Sequence, residues 1–148
     1  MNLEIHDVSA TNYRDILGLK VAQSQIDYIE TPYECLEDSL EWEQFKPVGL
    51  YANEELVGFA MYGFFKGEGP QGRLWIDRLL IDEQFQGRGL GTDFMKKLIE
   101  TVIQEYGEQP IFLSVYPENQ GAVRLYEKLG FKFIEERDVN GEHIMVRP

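Results

Sequence analysis

The sequence predicts a mixed α/β (α+β) domain, with a mostly antiparallel central sheet of six to seven strands and helices on both faces. Three observations predict it. Short apolar runs typical of strands occur near the start, in the middle and at the end of the chain. An apolar or aromatic residue recurs every four positions over residues 90–106, which indicates a long amphipathic helix. That helix stands between two apolar runs, so a parallel strand pair with a crossover helix is expected there.

The predicted elements follow the order β-α-α-β-β-β-α-β-α-β-β. The alternating segment LEIHDV forms the first strand, and Thr11 or Asn12 caps a helix from about residue 13 to 22. The pattern loosens around residues 25–31. Thr31 and Pro32 are then typical of the cap and first turn of a second helix, which reaches about residue 44.

The rest of the chain alternates strands, turns and helices. A hairpin covers residues 47–65 and turns at residues 53–55, and a glycine-rich loop at 66–72 leads to a strand at 73–82. The helix at 90–106 precedes a buried strand at 111–116 and a helix at 119–129, which Gly130 ends. Two closing strands at 132–136 and 143–146 are joined by a turn at Asn140-Gly141, a dipeptide that strongly indicates a hairpin.

Length and composition predict one domain, residues 1–148, with enough apolar surface to fold alone: 43% of the residues are hydrophobic. No apolar run is long enough to span a membrane, and the polar N-terminal residues lack the features of a signal peptide. His6, Cys35 and His143 are scattered, so neither an internal disulfide nor a metal site is expected. These features favour a cytoplasmic protein without a membrane partner.

The net charge of −12 argues against a nucleic-acid partner, because phosphates require a basic surface. Acid is concentrated between Asp27 and Glu55, where nine acidic residues accompany one basic residue, Lys46. Such a run is typical of a solvated helical face, and it is also suited to bind a cation. The sequence leaves both interpretations open.

The segment QGRGLG, residues 86–91, places three glycines where a strand should lead into a helix. A tight turn would need only one of them. Because a helix start exposes unpaired N–H groups and partial positive charge, glycines there indicate a backbone that binds an anion such as phosphate. The dinucleotide motif G-x-G-x-x-G fails at Thr92, and the Gly-Lys-Ser/Thr of the nucleoside-triphosphate loop is absent.

The segment does fit Gln/Arg-x-x-Gly-x-Gly/Ala, and it resembles the pyrophosphate loop of the GNAT family of N-acetyltransferases. The blocks LLIDEQFQGRGLG and SVYPENQGAVRLYEKLGFKF resemble that family on both sides of the loop. The segments ELVGFAMYGFF and LEDSLE are similar to the polyamine branch, the spermidine/spermine acetyltransferases. The resemblance covers nearly the whole chain and implies the GNAT fold.

The resemblance implies acetyl-CoA as co-substrate and no metal. Pantetheine would enter beside the strand residues Leu79, Leu80 and Ile81, with Leu79 and Ile81 offering backbone hydrogen bonds. Asn119, which could also cap the following helix, would touch the cofactor. The residues implied to wrap the pyrophosphate are Gln86, Gly87, Arg88, Gly89, Leu90, Gly91 and Thr92.

Two residues are candidates for catalysis. The resemblance makes Tyr126 the acid that protonates the departing sulfur and a cofactor contact, although its spacing alone fits a packed helix face. Asp77 stands among apolar residues on a predicted central strand, and Arg78 should face the opposite side of the sheet. The polyamine branch has a glutamate base at this place, so Asp77 is either the base or a holder of the cationic substrate.

By the same resemblance, Asp27, Tyr28 and Glu30 belong to the segment that covers the acceptor. The implied reaction is transfer of acetyl to a primary amine of a polycation such as spermine or spermidine, by direct attack in a ternary complex. Cys35 lacks a nearby histidine in the sequence and is not expected to act as a nucleophile. Another amine acceptor (a protein N-terminus, a lysine or an aminoglycoside) or a non-catalytic acyl-CoA-binding module stays open. Related enzymes are often dimers, while the sequence leaves the oligomeric state open.

Overall fold

The computed structural model describes residues 2–22, 27–138 and 140–148. Seven strands are found within these ranges: β1 Leu3–Asp7, β2 Lys46–Ala52, β3 Glu55–Phe65, β4 Arg73–Ile81, β5 Ile111–Val115, β6 Lys132–Arg137 and β7 His143–Arg147. The helices there are α1 Tyr13–Leu17, α2 Pro32–Glu41, α3 Leu90–Tyr106 and α4 Gln120–Lys128. Among the described residues, no helix is long and apolar enough to cross a membrane.

The strands form one sheet in the order β1-β2-β3-β4-β5-β7-β6. The β4–β5 pair is parallel, with α3 as its crossover, and the other neighbouring pairs are antiparallel. The predicted fold class and element order are confirmed, because apolar periodicity, helix caps and turn residues together separate strands from helices in this chain. Asn53 and Glu54 both have positive φ, as a two-residue type I′ hairpin turn requires.

Each face of the sheet buries its own set of apolar side chains. On one face, α3 contributes Phe94, Leu98 and Val102, all fully buried, to a core shared with five strands. On the other face, Ile16 of α1 and Cys35 of α2 pack with Phe59 and other residues of β3 and β4. Cys35 is therefore a core residue, and burial raises the pKa of its thiol to about 12. This two-layer burial holds β4 rigidly in the middle of the molecule.

The limits of the first two helices differ from the prediction. Helix α1 ends at Leu17 and not at residue 22, because the chain leaves the helix at Gly18 and the Lys20 N–H donates to Asp82 Oδ2 at 2.9 Å. Helix α2 ends at Glu41, three residues earlier than expected. Its start is confirmed: Thr31 and Glu34 form a reciprocal capping box, and Pro32 lies in the first turn. Residues 25 and 26 of the predicted loose segment lie outside the described residues.

Candidate active site

The central groove of the molecule opens where β4 and β5 separate. These strands pair only at Leu74–Ile111 and Trp75–Phe112, and beyond that point no further β4–β5 pairing follows. The gap forms part of a groove of about 250 Å³, which is lined by residues from β4, β5, α4, the glycine loop, the segment before α2 and the β6–β7 turn. An unpaired strand edge of this kind can accept another extended chain through backbone hydrogen bonds.

A bulge in β4 lies directly beside the groove. The β3–β4 register shifts by one residue between the pairs Met61–Asp77 and Phe59–Leu80, so β4 carries an extra residue there. Arg78 takes up this irregularity with a φ of 56°, which side-chain-bearing residues rarely adopt. The regular alternation expected for Asp77 and Arg78 is therefore wrong at this point, and both residues line the groove.

The bulge fixes Asp77 through two hydrogen bonds. The backbone N–H of Arg78 donates to Oδ1 at 3.0 Å, and Ser114 Oγ of β5 donates to Oδ2 at 3.1 Å across the gap. Burial raises the pKa of Asp77 to about 6, while the charge of Arg78 and these hydrogen bonds act in the opposite direction. The carboxyl group is thus mostly ionised at pH 7 and still able to accept a proton.

Arg78 connects β4 to the segment that precedes α2 and to α2 itself. Its guanidinium lies 3.6 Å from Glu30 Oε2 and 2.5 Å from Asp38 Oδ2. The negative charge of Glu30 is therefore partly compensated within the protein. The ion pairs also hold Glu30 and its neighbours Tyr28 and Ile29 at the groove.

Tyr126 lies on α4 and is half-buried at the groove. Its ring packs edge-on against Phe131 with the ring centroids 6.0 Å apart, and the Phe131 N–H donates to the Tyr126 carbonyl at 3.1 Å. Burial raises the pKa of the phenol, and the charges of Asp77 and Glu142 raise it further. The phenol is therefore protonated at neutral pH and can only donate its proton.

The glycine loop joins β4 to α3 with its backbone exposed. Gly87 and Gly89 have φ values of 79° and 75°, and a Cβ on either residue would meet no other atom within 4 Å. Gly89 is the N-terminal cap of α3, so the first N–H groups of that helix point out of the loop. The Gln86 amide donates to the Ile81 carbonyl at 3.0 Å and ties the loop back to β4.

The structure brings most, but not all, of the predicted site residues to this groove. The predicted residues that line it are Tyr28, Glu30, Asp77, Leu79, Ile81, Gln86, Gly87, Gly89, Leu90, Gly91, Asn119 and Tyr126. Four others lie outside the lining: Asp27, Leu80, Arg88 and Thr92. Leu80 packs into the core on the other face of the sheet, and the guanidinium of Arg88 lies 5.6 Å from the Phe85 ring centroid. The side chain of Asn119 is buried and makes no capping hydrogen bond to α4.

Sequence reasoning missed Ser114, Arg78 and Glu142 at the groove. Glu142 follows the Asn-Gly turn between β6 and β7 and is only 9% exposed. Burial, followed by the nearby acids Asp77 and Glu30, raises its pKa to about 8. The hairpin signal located the turn, but no local pattern indicates that this turn folds over β4.

Comparison with known proteins gives consistent matches over nearly the entire chain. The model of the acetyltransferase (GNAT) family matches residues 14–131. A spermine/spermidine N(1)-acetyltransferase of Bacillus subtilis is 45% identical over 150 aligned positions, which cover 99% of both chains.

Two solved structures illustrate the likeness in fold. An aminoglycoside acetyltransferase in complex with coenzyme A superposes with a TM-score of 0.80 at 22% identity, covering 98% of this chain and 94% of that one. A spermidine N-acetyltransferase from Vibrio cholerae in complex with CoA and spermine gives a TM-score of 0.70 at 19% identity, covering 97% and 92%. The family model and the full-length relative together establish that this chain belongs to the GNAT family of acetyltransferases.

Proposed function

We propose that this protein transfers the acetyl group of acetyl-CoA to a primary amine of a polyamine such as spermine or spermidine. The observation that carries the proposal is one groove in which the exposed glycine loop, Asp77 and Tyr126 lie together with further carboxylates. The 45% identity to the Bacillus subtilis spermine/spermidine N(1)-acetyltransferase, over 99% of both chains, supports the choice of acceptor.

The donor half of the groove fits acetyl-CoA. The N-terminus of α3 carries about half a positive charge and unpaired N–H groups, which suit the pyrophosphate. Gly87 and Gly89 leave the backbone open to close approach. The β4 edge from Leu79 to Ile81 faces the gap left by β5, where the amides of pantetheine would add as an extra strand.

The acceptor half supplies the groups that acetyl transfer needs. An alkylammonium titrates near pH 10 and must lose a proton before its nitrogen can attack. Asp77, ionised at pH 7, accepts that proton directly or through a water molecule. The nitrogen then forms a bond to the acetyl carbon, the carbon–sulfur bond breaks, and the departing thiolate takes the proton of Tyr126. The nitrogen loses its second proton as the amide forms, and this proton restores the Tyr126 phenol directly or through water, while Asp77 returns its proton to solvent.

Binding of a cation also adjusts Tyr126 for its proposed role. The negative charge of Asp77, which is ionised at pH 7, raises the pKa of the phenol in the free protein. An ammonium group bound near Asp77 offsets its charge and lowers that pKa. Tyr126 therefore becomes a better acid when the acceptor is in place.

A coenzyme A release assay tests the proposal. We expect release with spermine and spermidine at low micromolar to millimolar KM, and much less with aminoglycosides, peptides and lysine. The panel includes aminoglycosides because the fold is shared with an aminoglycoside acetyltransferase. Preferred turnover of any other amine class would replace the polyamine assignment, and binding of acetyl-CoA without transfer to any amine would refute the proposed activity.

A further inference from the structure

Glu142 occupies an unusual electrostatic position in the groove. It is nine-tenths buried, and it reaches the groove from the β6–β7 turn, on a different element from Asp77. Its backbone N–H donates to Asp138 Oδ1 at 2.9 Å, so the carboxyl group of another acid lies next to it. A buried carboxylate is costly unless it is paired, so this arrangement calls for a cation or a proton.

Among the described residues, no cationic side chain forms an ion pair with Glu142. Glu30, by contrast, is already paired with Arg78. The titratable groups that interact electrostatically with Glu142 are Glu30 before α2, Asp77 of β4, Tyr116 after β5, Tyr126 of α4 and Asp138 after β6. All of them are acids, so a positive charge that stabilises the ionised form of Glu142 would come from a ligand.

We infer that Glu142 is a specificity-determining residue, which binds an ammonium group of the acceptor other than the one that is acetylated. Asp77, whose charge raises the pKa of Tyr126, serves the reacting amine, while Glu142 serves a second charged nitrogen at the β6–β7 end of the groove. The inference rests on the proposed function and adds to it a preference for acceptors with at least two amines.

Acceptor binding is then coupled to loss of a proton from Glu142. In the free protein the raised pKa keeps this carboxyl group largely protonated at pH 7. A bound ammonium favours the ionised form, so a proton leaves as the acceptor enters. The substitution E142Q reproduces the shape of the protonated carboxyl group but cannot acquire the charge.

The inference is tested with the wild type, E142Q and the control E135Q, which removes an exposed glutamate of β6. Acceptors are propylamine, 1,3-diaminopropane, spermidine and spermine. We expect E142Q to raise KM for the diamine and the polyamines about ten- to a hundredfold. This is the loss of affinity expected when one hydrogen bond to a charged group is removed. The KM values for propylamine and acetyl-CoA should change less than about threefold, and E135Q should resemble the wild type.

Spermine binding to the CoA complex, measured by calorimetry, gives an answer that does not depend on turnover. We expect weaker binding to E142Q by the same factor, and proton release between pH 7 and 8 that the variant loses. Equal spermine affinities, or an equal effect of E142Q on propylamine and spermine, would overturn the inference. If the wild type acetylated no polyamine, the proposed function would fail, while the ratio of the spermine affinities would still decide the role of Glu142.

Thermal unfolding confirms that E142Q is folded and gives a second readout. The pKa of Glu142 is raised in the folded state, so wild-type stability due to this group falls as the pH rises from about 4.5, where the unfolded group titrates, to about 8. The unfolding temperature of E142Q relative to the wild type should therefore increase from pH 5 to pH 8. A constant difference would show that Glu142 is not held protonated.

Discussion

Asp77 and Tyr126 belong to different elements and face the same groove with complementary protonation states. The pKa of Asp77 is raised to about 6, which leaves a carboxylate that can take a proton at pH 7. Tyr126 is held protonated by burial and by neighbouring negative charge. One group that accepts a proton and one that donates it are what acetyl transfer to an ammonium requires.

Removal of the Tyr126 hydroxyl tests the proposed acid. Tyr126→Phe keeps the ring that packs against Phe131, so the fold should be unaffected. We expect kcat to fall about 10²- to 10⁴-fold, with the Kd of acetyl-CoA nearly unchanged. Tyr106→Phe, on α3 away from the groove, is the matched control. Normal turnover by Tyr126→Phe would show that another group, or water, protonates the thiolate.

The pH dependence of kcat/KM tests Asp77. Its carboxyl group can accept a proton only when ionised, so kcat/KM of the wild type should fall as the pH drops below about 6. Asp77→Asn should lower kcat/KM about 10²- to 10⁴-fold and abolish this acidic limb. Asp15→Asn, at an exposed position of α1, serves as the control. An acidic limb that persists in Asp77→Asn would assign the proton acceptor to a different residue.

At the level of elements, the site depends on one strand that is interrupted twice. The bulge at Arg78 changes the direction of the side chains along β4. The loss of pairing with β5 beyond Trp75 leaves one edge of β4 unpaired. The same strand then leads into the glycine loop and α3, so one continuous segment carries Asp77, the open edge and the anion-binding helix start. The ion pairs of Arg78 with Glu30 and Asp38 hold α2 and the segment before it against this strand.

A side chain in the glycine loop should weaken binding of the donor. Gly89 has a φ of 75°, so Gly89→Ala costs about 1–2 kcal/mol in that conformation. The loop will relax away from it, and we expect the Kd of acetyl-CoA, measured by calorimetry, to rise about tenfold. Gly67→Ala is the control, because Gly67 has an ordinary φ and open space around it. Unchanged acetyl-CoA binding by Gly89→Ala would contradict the proposed pyrophosphate site.

For the molecule as a whole, the dominant electrostatic fact is the net charge of −12. A field of this sign attracts a polycation and repels acetyl-CoA, which is an anion. The structure reduces that repulsion locally, since the glycine loop presents backbone N–H groups at the start of α3. The two substrates should therefore respond to salt in opposite directions.

Ionic strength provides the test at this scale. The Debye length shrinks from about 30 Å at 0.01 M salt to about 3 Å at 1 M. We expect KM for spermine to rise several-fold over this range, while KM for acetyl-CoA falls or stays constant. Propylamine, with one charge, should show a weaker dependence than spermine. A spermine KM that is independent of salt would rule out long-range attraction by the acidic surface.

The sequence by itself determined the fold class, the order of the elements, the family and the position of the glycine loop. These follow from patterns within short segments, because apolar periodicity, capping residues and glycines act on neighbouring backbone. The Thr31–Pro32 helix start and the Asn140-Gly141 turn are examples, and the structure has both.

Only the tertiary structure decided which acidic residues lie together in the groove. Whether Glu30 is free or paired depends on Arg78, and Arg78 faces it because of a bulge in the β3–β4 register. Glu142 enters the groove because β7 pairs with β5, which brings a distant turn over β4. Strand register and packing between remote segments are set by the whole core, so no local pattern records them. The loop identifies the donor, and the acceptor site is made by contacts that exist only in the folded chain.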